Sequence, residues 1–230
     1  MPDPRMVPPV KLRPTSRLHA AALALALGLA SVAGPLAADE LRVGGTGAAL
    51  ALFERLGAEF AAANGGRDTT RILPSLGSGG GIAAARDGAI DVAVSGRALA
   101  DVERAAGLRE APLLRTPLIL VTSRVSPPGL TRAALPTLHE RPDAVWPDGA
   151  PLRVILRAPS ETAVRILAEG VPGLAAAIAA ARQRRYIPVA ATDQENFALA
   201  RSVPGSLSVA LLVQLRTEGD ALAAVPLDGV

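Results

Sequence analysis

The chain has 230 residues, 24 Lys and Arg against 21 Asp and Glu, a formal net charge of +3, 2% aromatic residues and no cysteine. Disulfides and thiolate chemistry are therefore excluded, and so few rings provide no ladder on which nucleic-acid bases could stack. The positive excess lies at the front, where Arg5, Lys11, Arg13 and Arg17 face only Asp3, so the remainder is near neutral and has no basic field suited to nucleic acid.

That basic stretch precedes an apolar run from Ala20 to Ala30 and then small residues, with cleavage expected between Ala33 and Ala38. This is the layout of a secretory signal peptide over residues 1–38, and the run is well short of the roughly 20 residues that span a bilayer. The mature chain, half of whose residues are apolar, is expected to be exported and globular.

Strand and helix patterns then alternate. Leu41–Gly45 reads as a strand, Ala48–Ala63 as a helix with Leu50, Phe53, Leu56 and Phe60 on one broad face, and Asn64-Gly65-Gly66 as its stop. Thr70–Pro74 is the second strand. A glycine loop, Gly77 to Gly81, leads into a short helix at Ile82–Arg86, and Ile90–Ser95 and Leu118–Thr122 are further strands. Such alternation predicts an α/β unit with a largely parallel sheet. Val125-Ser126-Pro127-Pro128-Gly129 is the expected boundary, dividing a first lobe (39–124) from a second (125–230). In the second, strands are expected at Leu152–Leu156, Ile187–Ala190 and Ser206–Leu212. Helices are expected at Arg132–Leu138, Ser160–Glu169, Leu174–Arg184 and Asp193–Arg201.

The inventory of reactive groups is thin. His139 is the sole histidine beyond the leader and reads as a solvated residue at a helix end. Ser78 lacks a nucleophile elbow because position 76 is Leu76. Lys11 is the only lysine, so no Walker loop exists. Zinc-type ligand clusters are missing, and Asp193 with Glu195 reads as a helix start. A dinucleotide fingerprint at Gly45-x-Gly47, with Asp68 downstream, fails at Leu50, where close packing wants a small residue. No cofactor, no metal and no catalytic step are expected.

Two strand-to-helix turns remain, Thr46-Gly47-Ala48 and Gly77-Ser78-Gly79-Gly80-Gly81. Free N–H groups and a positive dipole at a helix start hold an anion without a net charge. Glycine lets backbone approach an oxyanion, and Thr46 and Ser78 add hydroxyl donors. A flexible surface loop explains the same glycines equally well.

These residues resemble the phosphate-binding proteins of bacterial ABC importers. "LRVGGTGAALALFERLGAEF" looks like their opening strand and helix. "GSGGGIAAARDGAIDVAVSGRAL" looks like their serine-glycine loop, the next helix and strand, and the turn after them. "WPDGAPLRVILRAPSET" and "TDQENFALARSVPGSLSVALL" look like parts of their second lobe. The resemblance implies a two-lobed, type 2 periplasmic binding fold that closes on an oxyanion. Thr46, Gly47, Ala48, Ser78 and Gly79 would contact the anion from the first lobe, and Arg157, Ser160 and Thr162 from the second. Arg157 would supply a planar fork of donors, the alternative being an ordinary surface arginine, and Ser160 could also serve as a helix N-cap. The implied partners are phosphate or a related oxyanion and an inner-membrane ABC permease, with the protein monomeric and periplasmic.

Three departures stand out. Ser95-Gly96-Arg97 occupies a turn where phosphate binders carry an aspartate, so Arg97 would add positive charge instead. Glu161 replaces the loop glycine, and either points away or serves as the missing proton acceptor. The chain also stops at Val230, before the family's return strand, which implies an incomplete C-terminal part. An exported sensory or interaction domain that kept the fold and lost anion transport is the alternative.

Overall fold

The computed structural model describes residues 39–111, 113–219 and 221–229, so the expected signal peptide lies outside the described residues. Its strands are β1 (Asp39–Gly45), β2 (Asp68–Ile72), β3 (Val92–Val94), β4 (Leu118–Thr122), β5 (Arg153–Val154), β6 (Leu156–Arg157), β7 (Val189–Ala190), β8 (Ser206–Leu211) and β9 (Ala223–Val225). Its helices are α1 (Leu50–Ala63), α2 (Gly77–Arg86), α3 (Asp101–Ala105), α4 (Leu135–Glu140), α5 (Thr162–Gly170), α6 (Leu174–Arg182), α7 (Asp193–Ser202) and α8 (Leu212–Glu218). Short 3-10 turns at Gly47–Ala49 and Arg132–Ala134 lead into α1 and α4.

The first half is a parallel sheet in the order β2-β1-β3, with Val43 of β1 beside Ile72 on one side and Val92 on the other. Parallel pairing forces each connection to cross over, and α1 and α2 are those crossovers. Val43, Ala48, Leu50, Ile82 and Ile90 are buried apolar residues of this half.

In the second half a four-stranded sheet runs β5-β8-β4-β9, and β6 pairs with β7 in a separate ladder. This sheet is mixed: β5 runs parallel to β8, while β4, expected among the strands of the first half, is antiparallel to both β8 and β9. The placement of β4 also moves the boundary expected at 124/125. Leu118–Thr122 is an inner strand of the second sheet, and Leu120 shares a core with Leu130, Leu135, Trp146 and Leu174. Residues on both sides of the proline-rich segment thus belong to one body, and the passage from the first sheet occurs ahead of Leu118.

The strand expected at 152–156 divides at Ile155, whose N–H bonds to Leu207, while Leu156 bonds to Pro188. The chain thereby passes from one ladder to the other and delivers Arg157 to the base of α5. Pro136 is tolerated in α4 because it falls in the first turn, where the missing N–H has no intrahelical partner to lose. Fully buried Leu135, Leu174 and Leu207 each contribute roughly 1.5–3 kcal/mol by leaving water. No helix among the described residues is long and apolar enough to cross a membrane.

Candidate functional site

The glycine run is not a loop. α2 begins at Gly77, so Gly79, Gly80 and Gly81 form its first turn and beyond. Gly77 itself has φ +66, a left-handed value that admits glycine readily and side chains rarely. Gly81 packs on β1 so closely that an added Cβ would lie 2.6 Å from the Gly45 Cα. Gly79, by contrast, has nothing within 4 Å of where its Cβ would stand.

Gly79 opens onto a cleft of about 570 Å³ lined by Ser78, Gly79, Arg97, Ala98, Leu99, Ala100, Ser160, Thr162 and Arg165. Five residues singled out by sequence are therefore brought together there: Ser78, Gly79 and Arg97 from the first half, Ser160 and Thr162 from the second. Gly96 sits between residues of the two halves at this cleft. Its N–H donates to Ser78 Oγ at 3.0 Å, and a Cβ on it would lie 3.6 Å from Ser78 Oγ and 3.7 Å from Thr162 Cγ2. Since Ser78 accepts with its oxygen, its own proton is left to donate into the cleft. Ser160 is exposed and is not the N-cap of α5, a position taken by Glu161.

Arg97 does not bring free charge to this cleft. Its guanidinium makes a bidentate pair with Glu103 at 2.7 and 2.8 Å. Glu103 also accepts from the Ala100 N–H at 2.7 Å, capping α3. The Arg97 guanidinium first, and that N–H second, hold the Glu103 carboxyl down at about 2, so the pair stays ionised and electrically balanced at neutral pH. Arg165 is more loosely engaged, 3.7 Å from Glu169 with both side chains more than half exposed.

Thr46, Gly47, Ala48 and Arg157 meet at a different place, and it is filled. The alternative reading of Arg157 as a surface arginine fails, since it is 2% exposed. Its Nη2 donates to Asp193 Oδ1 at 2.8 Å and lies 3.0 Å from Glu161 Oε2, and its Nη1 donates to the Thr192 carbonyl. The other Asp193 oxygen accepts from the Ala48 N–H at 2.9 Å and from Thr46 Oγ1 at 3.4 Å. Beside it, Gln194 Nε2 donates to the Gly47 carbonyl at 2.9 Å. A Cβ on Gly47 would come within 2.5 Å of Gln194 Oε1 and 3.0 Å of Asp193 Oδ2. The first half's opening turn is thus fastened to the start of α7 through a carboxylate.

Glu161 does not point away, as one reading of its position expected. Burial pushes its carboxyl above the usual range, with Arg157 opposing that shift and Asp193 adding to it. The folded protein therefore holds that proton more tightly than the unfolded chain does, and stability from this group is lost as pH rises through the raised value. Glu161→Gln is accordingly expected to match wild type in acid and to gain on it progressively towards neutrality. Urea midpoints across about pH 3–8 read the difference; a gap that closes on going up in pH would reverse the assignment.

Asp193 is the member of this cluster that the sequence concealed. It follows the N-cap Thr192, whose Oγ1 accepts from the Glu195 N–H at 3.1 Å, so in the sequence it reads as an ordinary acidic residue of a first helical turn. No metal-binding cluster of His, Asp and Glu occurs among the described residues.

A family model described as a PBP superfamily domain matches residues 30–224. The chain belongs to the PBP superfamily. Solved structures agree on the type 2 periplasmic binding fold. One, described as a phosphate ABC transporter substrate-binding protein from Clostridium perfringens with bound phosphate, aligns at a TM-score of 0.64 and 18% identity, covering 84% of this chain and 77% of its own. An ABC-type phosphate transport receptor from Vibrio cholerae gives 0.50 and 16% identity, over 83% and 77%. A glutamate-bound receptor ligand-binding domain matches at 0.48 and 12%, over 84% and 79%. No curated protein sequence matches the chain. At these identities the likeness is one of fold, and within this PBP domain the cleft and the Asp193 bridge are features of its own residues.

Proposed function

We propose that this PBP domain is a periplasmic solute-binding protein that takes phosphate, or a similar tetrahedral oxyanion, and presents it to an ABC permease. It acts as a monomer and performs no catalytic step. The observation that carries this reading is the cleft itself. The first turn of α2, with Ser78 and Gly79, and the start of α5, with Ser160 and Thr162, border one opening from the two halves. Helix starts and hydroxyls are neutral donors suited to an anion, and Arg165 supplies the accessible positive charge. The naming of two structural relatives as phosphate transport proteins supports the choice of solute.

A second reading has its own support. Asp193 already occupies Thr46, Ala48 and Arg157, the donors that the family resemblance assigns to the anion. A domain closed by its own carboxylate suits an exported sensory or interaction module that no longer transports. Calorimetric titration of the protein with phosphate, sulfate and molybdate separates the two. Saturable heat with at least one of them, weakened about tenfold by Thr162→Val, supports solute binding. No heat with any of the three removes it in favour of the second reading.

A further inference from the structure

The Asp193 carboxylate is held by a backbone N–H at a helical start, a hydroxyl and a buried guanidinium. Those are the donor types that hold free oxyanions in proteins. One oxygen faces the first half, through Ala48 and Thr46, and the other faces Arg157 of the second. A tetrahedral anion placed there would span the same donors.

Helix formation does not account for this arrangement. α7 is already capped without the Asp193 side chain: Thr192 Oγ1 accepts from Glu195, and Glu195 Oε2 accepts from the Ala191 N–H at 2.7 Å. The carboxylate is free to serve another purpose, and its position is fixed from behind, where Gln214 Nε2 donates to the Asp193 carbonyl at 3.3 Å. Gln214 is 1% exposed, and its Oε1 is buried without a hydrogen-bond partner among the described residues.

Charge decides whether a free anion can join the cluster as it stands. Arg157 already faces both Asp193 and Glu161. A third negative charge about 4 Å from either carboxylate meets a repulsion of the same order as the attraction Arg157 offers. An anion and the Asp193 carboxylate therefore exclude one another.

We propose that Asp193 is a tethered substitute for the solute: its carboxylate fills the Thr46, Ala48 and Arg157 cradle, and a free oxyanion enters that cradle only when Asp193 is out of it. This rests on reading the groove between the halves as a solute site. In the resting protein the solute is then confined to the neighbouring Ser78, Gly79, Ser160 and Thr162 cleft.

Chemical rescue in the full chain tests this. Asp193→Ala is expected to lower the melting temperature, and inorganic phosphate or acetate, against chloride at equal ionic strength, is expected to restore it. The gain amounts to about 5–10 °C at an anion concentration near 100 times its Kd, and wild type shows no comparable gain from acetate. Asp193→Asn, which removes the charge but still fills the space, is expected to show no rescue. Should Asp193→Ala not fold in chloride, refolding yield in phosphate is read instead: anion-dependent recovery supports the proposal, and recovery in neither overturns it. A folded Asp193→Ala whose melting temperature ignores phosphate and acetate also overturns it. Phosphate binding by wild type without rescue in the variant leaves the solute reading intact and removes this one. Rescue without wild-type binding does the reverse.

Discussion

Replacing Arg157 with alanine is expected to cost about 3–5 kcal/mol of stability, because it leaves the buried Asp193 and the half-buried Glu161 with no cation between them. The lost attraction is the smaller part. Most of the cost is the desolvation of two charges that Arg157 offsets as their shared cation, the Ala48 N–H and the Thr46 hydroxyl being neutral donors to Asp193 alone. Its removal also leaves the Thr192 carbonyl without that donor, and it takes away the bond that holds Asp193 Oδ1 while the other oxygen reaches the opening turn. Arg157→Lys is expected to lose less but not to be neutral, since a single ammonium cannot address Asp193, Glu161 and that carbonyl with the planar fork of a guanidinium. Urea denaturation of the three proteins reads the order directly. An Arg157→Ala loss below about 1 kcal/mol would mean that the side chain is solvated and the cluster open in solution.

The sequence showed the alternation of strands and helices because the hydrophobic period changes visibly between segments such as Leu41–Gly45 and Ala48–Ala63. It misplaced what depends on distant partners. β4 looks the same whichever sheet receives it, and only its pairing with β8 and β9 assigns it to the second half. Gly77 to Gly81 read as a loop because glycine is a poor helix former, yet contact with Gly45 holds it helical. α3, a helix of five residues (Asp101–Ala105), is too short to show a period, and its start is fixed by the Glu103 cap, which also binds Arg97. Ser78, Gly79, Ser160 and Thr162 were legible as donors at helix starts. Arg157 was legible as a fork of donors but not as a buried one, because its partner Asp193 is 36 residues away in sequence and looks like any acidic first-turn residue.

The two glycines of the α2 start are expected to respond in opposite directions, which separates packing from binding within one turn of helix. Gly81→Ala places a methyl 2.6 Å from the Gly45 Cα and 3.3 Å from its nitrogen, both backbone atoms that cannot rotate aside. Overpacking of this kind costs about 1–3 kcal/mol and more where backbone must move. Relief requires α2 to withdraw from β1, carrying Ser78 away from Gly96 and widening the cleft. Gly79→Ala meets open space, and removing glycine's excess freedom in a helix is expected to stabilise the fold by about 0.5–1 kcal/mol. The same methyl projects into the cleft border, so phosphate affinity is expected to fall about tenfold or more while the melting temperature rises. Stability and affinity measured on both variants settle the point. If Gly79→Ala raises stability and leaves phosphate affinity untouched, the α2 start does not touch the solute, and its glycines serve packing alone.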